Sequence, residues 1–582
     1  MDGITAKTLL ESLLGRIERD PSTKRYRLQG ALSDLEYAAL EYALARLDKP
    51  RAIDDATQPA MGPSIATSEA LDSQPRSSIS AASTGAIGNQ QQPIPTRSKA
   101  AVAPPPKLII DAQRSKVEDA EITLCLDFGT AKSKAFATRR ETNGFQLIEL
   151  GLGQQAGEVL PYPLTSAVWV DESGLLFVGH AALERSFAQH DTERKRLDSL
   201  KQQLSQGSEH RLTTRLKEGT ENPTSIPLTY GDALTFYLAY LTDMAEAELV
   251  RQGHSRYVRR RFALPCWDTD QSRVMEPLLR EYLARAQMVA DTFRGRWNEG
   301  LRAEHVRAVM DQVVEARTAW PMELIGESVL EPIAAGNSRL QTDEPTRQLV
   351  LVIDIGAGTT DFGLFIVVEN PDQELFRITP IEGTTLGVRQ AGDTVDQILR
   401  TTIIKQAEVD ANDPSFGLIN SQLQLRIREY KERLFQEGAL TFRLSDDRTG
   451  IVRLDSFLQN PALGAFREKL EAKCREALDA AGKDKTGFYD AELRVVLTGG
   501  GSALPMLETL AKGSSEHFGK TLRRRMAPPI PDFLQNRPIA GAYAQLAVAL
   551  GGALPDLPDT RQPVTTIKGS AVRTVKMPRR WV

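Results

Sequence analysis

With 582 residues the chain is too long for one hydrophobic core, and length alone predicts three or four domains. A hydrophobic content of 41%, a charged content of 25% and a formal charge of 72 − 76 = −4 are those of an ordinary soluble protein and exclude a generally basic nucleic-acid binder. Cys125, Cys266 and Cys474 stand far apart without CxxC spacing, and the six histidines form no HExxH pattern, which argues against a disulfide framework or a protein-bound transition metal and suits a reducing cytoplasm. No run of about 18 apolar residues predicts a membrane span.

Residues 1–50 read as a small helical module. Leu9, Leu10, Leu13, Leu14 and Ile17 recur at helical spacing, and a second helix starts at Ser33, with Glu36 completing a capping-box pattern before the Leu35/Leu40/Leu44 stripe. Two such helices suit docking to a protein partner. Residues 51–118 change composition to Ser, Ala, Pro and Gln, with Gln90-Gln91-Gln92 and Pro104-Pro105-Pro106, and predict a flexible, disordered tether. From 119 to 552 strands and helices alternate, an α/β pattern. Residues 553–582 return to loop composition with a basic cluster, Arg573, Lys576, Arg579 and Arg580.

Three glycine turns carry the chemistry. In the first, a strand ends at Asp127, and Gly129, Thr130, Ala131 and Lys132 turn back into another strand. Gly129 permits a tight turn whose N–H groups face an anion, and Thr130 and Lys132 add donors. The second follows the apolar run Leu349–Ile353 and reads Asp354-Ile355-Gly356-Ala357-Gly358-Thr359-Thr360-Asp361. Its two close glycines admit a phosphate to the backbone, and its two carboxylates suit a Mg²⁺ held through water. The third is Gly499-Gly500-Gly501-Ser502 between a strand and a helical stretch, where a flat ring or sugar fits against backbone.

In this order the three turns resemble the two phosphate motifs and the adenosine motif of the actin, sugar-kinase and heat-shock ATPase superfamily. Further segments resemble the DnaK-like (70-kDa heat-shock) chaperone ATPase: Phe262-Ala263-Leu264-Pro265, Glu331-Pro332-Ile333-Ala334-Ala335-Gly336, Leu386-Gly387 through Gly392-Asp393-x-x-Asp396, and Ile427–Leu434 with Lys431. The resemblance covers about residues 119–552 and implies a two-lobed, actin-like (ribonuclease-H-like) fold. Lobe I would span 119–347 and lobe II 348–552, closing on ATP or ADP with Mg²⁺.

Several roles follow from the resemblance. Asp127 and Asp354 would hold the Mg²⁺ hydration shell, and Thr130 and Thr359 would contact phosphate. Asp361 and Glu331 would orient the attacking water or the metal shell. Gly356, Gly358, Gly387 and Gly392 would admit phosphates, while Lys431 and Gly499, Gly500, Gly501 and Ser502 would receive adenosine. Pro163-Leu164-Thr165-Ser166 and Gly179-His180-Ala181-Ala182 match the landmarks that precede the family's catalytic lysine, which makes Lys201 the candidate. Arg428 replaces a family glutamate, Ala503 an arginine and Gln535 an aspartate, departures that bear on base selectivity.

About thirty residues follow 552, too few for the sandwich of roughly a hundred residues that clamps peptides in this family, so peptide clamping in the usual way is not expected. The expectation is a cytoplasmic ATPase that hydrolyses slowly and works as a nucleotide-dependent switch on a protein partner through its helical module or lobe surfaces. An actin-like filament former and a small-molecule kinase of the same fold are the alternatives.

Overall fold

The computed structural model describes residues 17–19, 26–28 and 104–557, except for 111–115, 143, 189–192, 206–208, 268, 339–345, 371–374, 487–491 and 518. Met1–Ala103 and Pro104–Val582 are separate units. In the first, β1 (Ile17–Arg19) and β2 (Tyr26–Leu28) form an antiparallel pair with Ile17 opposite Leu28. Ile17, which helical spacing joins to a leucine stripe, is thus a strand residue. The reason is local: Ile17-Glu18 and Tyr26-Arg27-Leu28 alternate apolar and polar side chains, the period of a strand. Leu9 to Leu14, the helix expected from Ser33, the stretch 51–103 and the tail beyond 557 lie outside the described residues.

The second unit begins earlier than the first predicted strand. Leu108 is buried, its N–H donates to Gln312 Oε1 at 2.9 Å, and the Ile109 N–H donates to Thr292 Oγ1 at 3.1 Å. Gln312 Nε2 in turn donates to Pro106 O at 3.3 Å. Pro104–Ile110 is therefore a strap on the α/β unit. Leu108 is the strap's buried apolar anchor.

The first sheet contains β3 (Asp119–Asp127), β4 (Lys132–Glu141) and β5 (Gly144–Ile148) as a meander. β6 (Leu164–Thr165) pairs with β4, and β7 (Val168–Val170) pairs with β8 (Leu175–Val178). Helix α1 (Leu200–Ser205) precedes the long α2 (Tyr230–Arg251), which opens on a reciprocal capping box between Thr229 and Asp232. β9 (Val258–Leu264) runs parallel to β3, followed by α3 (Thr269–Phe293), β10 (Leu301–Arg302), α4 (Ala303–Glu315) and β11 (Ile325–Leu330) parallel to β9. The order is β11-β9-β3-β4-β5. Helix α5 (Glu331–Asn337) leaves the sheet with Pro332 in its first turn, where a missing N–H costs nothing.

The second sheet opens with β12 (Thr346–Ile355) and β13 (Thr360–Asn370), joined by the second glycine turn, then β14 (Leu375–Pro380) and β15 (Leu386–Val388), which both pair with β13. Helices α6 (Gly392–Gln406) and α7 (Phe416–Glu437) follow, then the hairpin β16 (Ala439–Arg443) and β17 (Thr449–Arg453), and α8 (Pro461–Thr486), broken at Gly482. β18 (Glu492–Thr498) runs parallel to β12, and β19 (Gly513–His517) and β20 (Lys520–Met526) complete the order β14-β13-β12-β18-β20-β19 before α9 (Tyr543–Ala553). Leu349–Ile353 is apolar throughout because β12 has a strand on each side and a packed layer on both faces.

One buried cluster fills the first sheet's helical side and a second that of the other. A third spans both sheets, joining Cys125, Phe136 and Val329 with Val350, Val352 and Val496 through α5 and α9. Small residues at the crossing, Ala334 and Ala335 on α5 and Gly551 on α9, let the two helices approach closely. Past α9, Leu554 is buried and Arg261 Nη2 donates to Pro555 O at 3.1 Å, so 553–557 belongs to this layer.

Deleting residues 1–103 should leave the thermal midpoint of the α/β unit unchanged. Deleting 1–110 should lower it by a few degrees, the scale of about 2 kcal/mol for losing one buried leucine. Calorimetry on the two truncations and on Leu108→Ala, expected to resemble the longer deletion, checks this.

Candidate functional site

Three strand ends meet at one place. β3 ends at Asp127, and Gly129, Thr130 and Ala131 turn into β4. Pairing sets Asp127 opposite Lys134, whose Nζ donates to Asp127 Oδ2 at 3.1 Å. β12 turns through Gly356, Ala357, Gly358 and Thr359 into β13, so Asp354 stands opposite Asp361 two strand positions from the turn, with Thr360 beside it. β18 runs beside β12 with Thr498 opposite Asp354, and Thr498 Oγ1 donates to Asp354 Oδ1 at 2.9 Å. The third turn follows directly, and Ser502 Oγ closes it by donating to Gly499 O at 2.8 Å.

The turns touch. A Cβ on Gly358 would stand 2.8 Å from Thr130 Oγ1, which brings the first and second turns into contact. Gly499 has φ +81°, and a side chain there would fall 2.7 Å from Asp354 Oδ1. Gly387 lies on β15 opposite Asp361. Gly392 heads α6, its N–H donating to Gly356 O at 3.2 Å, and the Asp393 N–H donates to Ala357 O at 2.7 Å. Lys431 on α7 pairs with Asp396 at 2.9 Å and donates to Gly392 O at 3.3 Å, beside the second turn.

Lys201, on α1, forms an ion pair with Glu331, the first residue of α5. Asp127 (4% exposed), Glu331 (5%), Asp354 (5%) and Asp361 (1%) are all buried around it, so four carboxylates share two lysines, Lys134 and Lys201. The Cys266 N–H donates to Asp361 Oδ1 at 2.8 Å, and the side chains of Thr359 and Cys266 also hydrogen-bond to the buried Asp361 carboxylate.

This imbalance moves proton affinities. Burial, with Asp361, Asp127 and Asp354 opposing the pull of Lys201, pushes Glu331 up to about 8. Burial and the repulsion of Asp361 and Asp127 push Asp354 up to about 6. Burial raises Asp361 as well, against the lowering effect of the Cys266 amide. Lys201 moves the other way from an isolated buried lysine: burial pulls it down, and Glu331, Asp127 and Asp361 more than reverse that. Lys201 is held charged, and the four carboxylates stay short of positive charge, because two ammoniums cannot neutralise four acids. Such crowding is typical of functional sites.

Two groups of the first sheet's side reach the second across this cluster. Gln202 Nε2 donates to Asp393 Oδ2 at 2.8 Å. Arg196 Nη2 donates to Leu425 O at 3.0 Å. From the other side, Arg428 donates to Asp198 O and Ser199 Oγ, each at 3.3 Å, while pairing with Asp393.

Every residue predicted from sequence except Lys132 falls in or beside this cluster. Lys132 Nζ is engaged by Glu158 at 3.1 Å and Thr165 Oγ1 at 2.9 Å, and Lys134, two residues on along β4, takes the place beside Asp127. The sequence reading also missed Thr498 and Cys266. Strand alternation from Lys132 points to Lys134, and Thr498 directly precedes the glycine run. Cys266 reaches Asp361 through both its main-chain N–H and its side chain, and nothing in its sequence context signals that. No family model matches the chain.

Among the described residues no three His, Cys, Asp or Glu side chains are close enough to ligate a metal directly, and no helix is long and apolar enough to cross a membrane. The cluster does fit a hydrated divalent cation. It has surplus carboxylate, four buried acids against two lysines, whose oxygens can accept hydrogen bonds from metal-bound water.

Glu331 and Asp354 hold protons in the folded protein that the unfolded chain, with values near 4, has released. That contribution to stability is present below about pH 4 and lost as pH rises through about 6 and about 8. Between about pH 5 and about pH 8 the ligand-free thermal midpoint should fall by several degrees, and Mg²⁺ should flatten the fall. A midpoint that rises over this window contradicts the charge imbalance.

Proposed function

We propose that this chain binds ATP with Mg²⁺ at the three-turn cluster, hydrolyses it slowly, and uses the resulting closure as a switch read by a protein partner, in the manner of a chaperone-like regulator. The observation that carries the reading is the meeting of two phosphate-type turns, one from each sheet, at four buried carboxylates and a buried lysine. With it goes the two-lobed, actin-like interpretation of the two sheets. Support for that comes from the third core, where α5 and α9 span both sheets and provide a hinge layer.

Asp127 and Asp354 would hold the hydrated Mg²⁺, which supplies charge neutralisation at the β- and γ-phosphates. The Gly129 and Gly356 N–H groups close their own turns onto Ser133 Oγ and Thr359 O, so the N–H groups of Thr130, Ala131, Ala357 and Gly358 would cradle phosphate, with Thr130 and Thr359 adding hydroxyls. Lys201, fixed by Glu331, would present a point charge beside the γ-phosphate. Asp361, held by Cys266, would accept a hydrogen bond from the attacking water and orient it. The glycine turn at Gly499–Ser502, with Lys431, would take the nucleoside.

The switch part of the reading rests on the bridging contacts of Gln202, Arg196 and Arg428. All are polar; those of Gln202 and Arg428 are half-buried and each worth about 1 kcal/mol or less, while the Arg196 bond to Leu425 O is buried and worth about 1.5–3 kcal/mol. These energies are of the order that a phosphate touching both turns supplies to bias opening against closing. A partner that prefers one state 10-fold draws about 1.4 kcal/mol from that difference.

Asp354→Asn tests the assignment. Removing one preorganised electrostatic group should lower Mg²⁺-dependent ATP turnover about 10²-fold or more. Because it also removes like-charge repulsion, it should leave the thermal midpoint at pH 8 equal or higher. Parent-like turnover would remove Asp354 from the site.

A further inference from the structure

Helix α1 delivers two consecutive side chains to the cluster. Lys201 reaches Glu331, and Gln202 reaches the second glycine turn. A Cβ on Gly358 would stand 3.2 Å from Gln202 Nε2 and 2.8 Å from Thr130 Oγ1, so both phosphate-type turns and the amide converge on one point. Gln202 Nε2 donates to Asp393 Oδ2 at 2.8 Å. That partner is a carboxylate, which accepts, so the NH₂ end of the amide and not its oxygen faces Asp393. Asp393 is itself fixed: its N–H donates to Ala357 O at 2.7 Å, and Arg428 Nη2 donates to its Oδ1 at 3.3 Å. The amide nitrogen carries two hydrogens. Asp393 takes one, and no group among the described residues takes the other.

We propose that Gln202 is the residue by which this site distinguishes ATP from ADP, its second amide N–H donating to the γ-phosphate while the first stays on Asp393. The assignment rests on the ATPase reading above. The γ-phosphate is the one expected beside Lys201, and a phosphate seated there on both turns lies within reach of the next residue of the same helix. ADP leaves that N–H without an anionic acceptor, so the contact is made by the triphosphate alone. A neutral amide suits the position. One nitrogen serves a phosphate and a carboxylate together, and the Arg428 paired with Asp393 offsets the repulsion between those two anions. The contact also gives the switch a direction. Gln202 comes from the first sheet's side, and Asp393 heads α6 on the second. With ATP the γ-phosphate adds a tie beside the amide–carboxylate bond, and with ADP that bond remains alone, so the ATP state is the more tightly closed.

The test measures equilibrium binding of Mg·ADP and of the β,γ-imido analogue of Mg·ATP to the full-length parent, Gln202→Ala and Gln202→Glu. In Q202A affinity for the imido analogue should fall about 10-fold or more, the scale for losing one hydrogen bond to a charged oxygen, while affinity for Mg·ADP stays within about 3-fold. Q202E keeps the shape of the side chain but sets a further acid beside the phosphate, and should lose more affinity for the analogue than Q202A does. A purely structural bridge to Asp393 would weaken both nucleotides alike and lower the thermal midpoint. That result, or a parent-like ratio of the two affinities in Q202A, would overturn the assignment and leave the ATPase reading standing. A parent protein that binds neither nucleotide would overturn both.

Discussion

The ion pair between Lys201 and Glu331 joins the short helix after the small strands of the first sheet to the helix that leads out of it, and everything at the site is arranged around it. Both partners are buried, and removing Lys201 would leave Glu331 an uncompensated buried charge at a cost of about 3–5 kcal/mol. Asp127, Asp354 and Asp361 stand around this pair because each is fixed by strand register: Asp127 by β4, Asp354 and Asp361 by each other, and Asp354 again by β18. The protein therefore holds more buried acid than its own cations neutralise. The excess is a standing demand for a cation from outside, met in our account by Mg²⁺ with a nucleotide.

The fold makes that demand sensitive to shape. The carboxylates come from two sheets, and the layer beneath them, built by α5 and α9, is packed closely on small residues. The contacts above them, from Arg196, Gln202 and Arg428, are polar hydrogen bonds, those of Gln202 and Arg428 only half-buried. A tight layer below and a weak one above is the arrangement in which a ligand between the sheets changes their separation at the open end.

Much of the site was legible in the sequence because its chemistry is carried by turns. Asp-x-Gly-Thr, Asp-x-Gly-x-Gly-Thr-x-Asp and Gly-Gly-Gly-Ser each fix a strand end, and a strand end fixes where its aspartate points. Lys201 was reachable only through a family resemblance, since nothing near it distinguishes it from Arg194, Lys195 and Arg196 until Glu331 is seen beside it. Lys132 misled because a lysine next to a phosphate-type turn looks like a ligand. Strand alternation and Glu158 hold Lys132 to one side, and Lys134 stands beside Asp127. Cys266 was illegible since a lone cysteine after a strand-ending proline does not signal a contact with an aspartate 95 residues on. The strap at Pro104–Ile110 was hidden by composition: three prolines read as tether, and one leucine anchors them.

The central claim is that a buried acidic cluster built from two sheets is completed by a magnesium nucleotide. Calorimetric titration of the full-length protein with ADP, in Mg²⁺ and then in EDTA, addresses it most directly. The account predicts one binding site per chain whose affinity drops at least 10-fold when the metal is removed. It also predicts that Asp127→Asn and Asp354→Asn each lose most of that metal dependence. No ADP binding, or an affinity indifferent to Mg²⁺ in the parent protein, would contradict it.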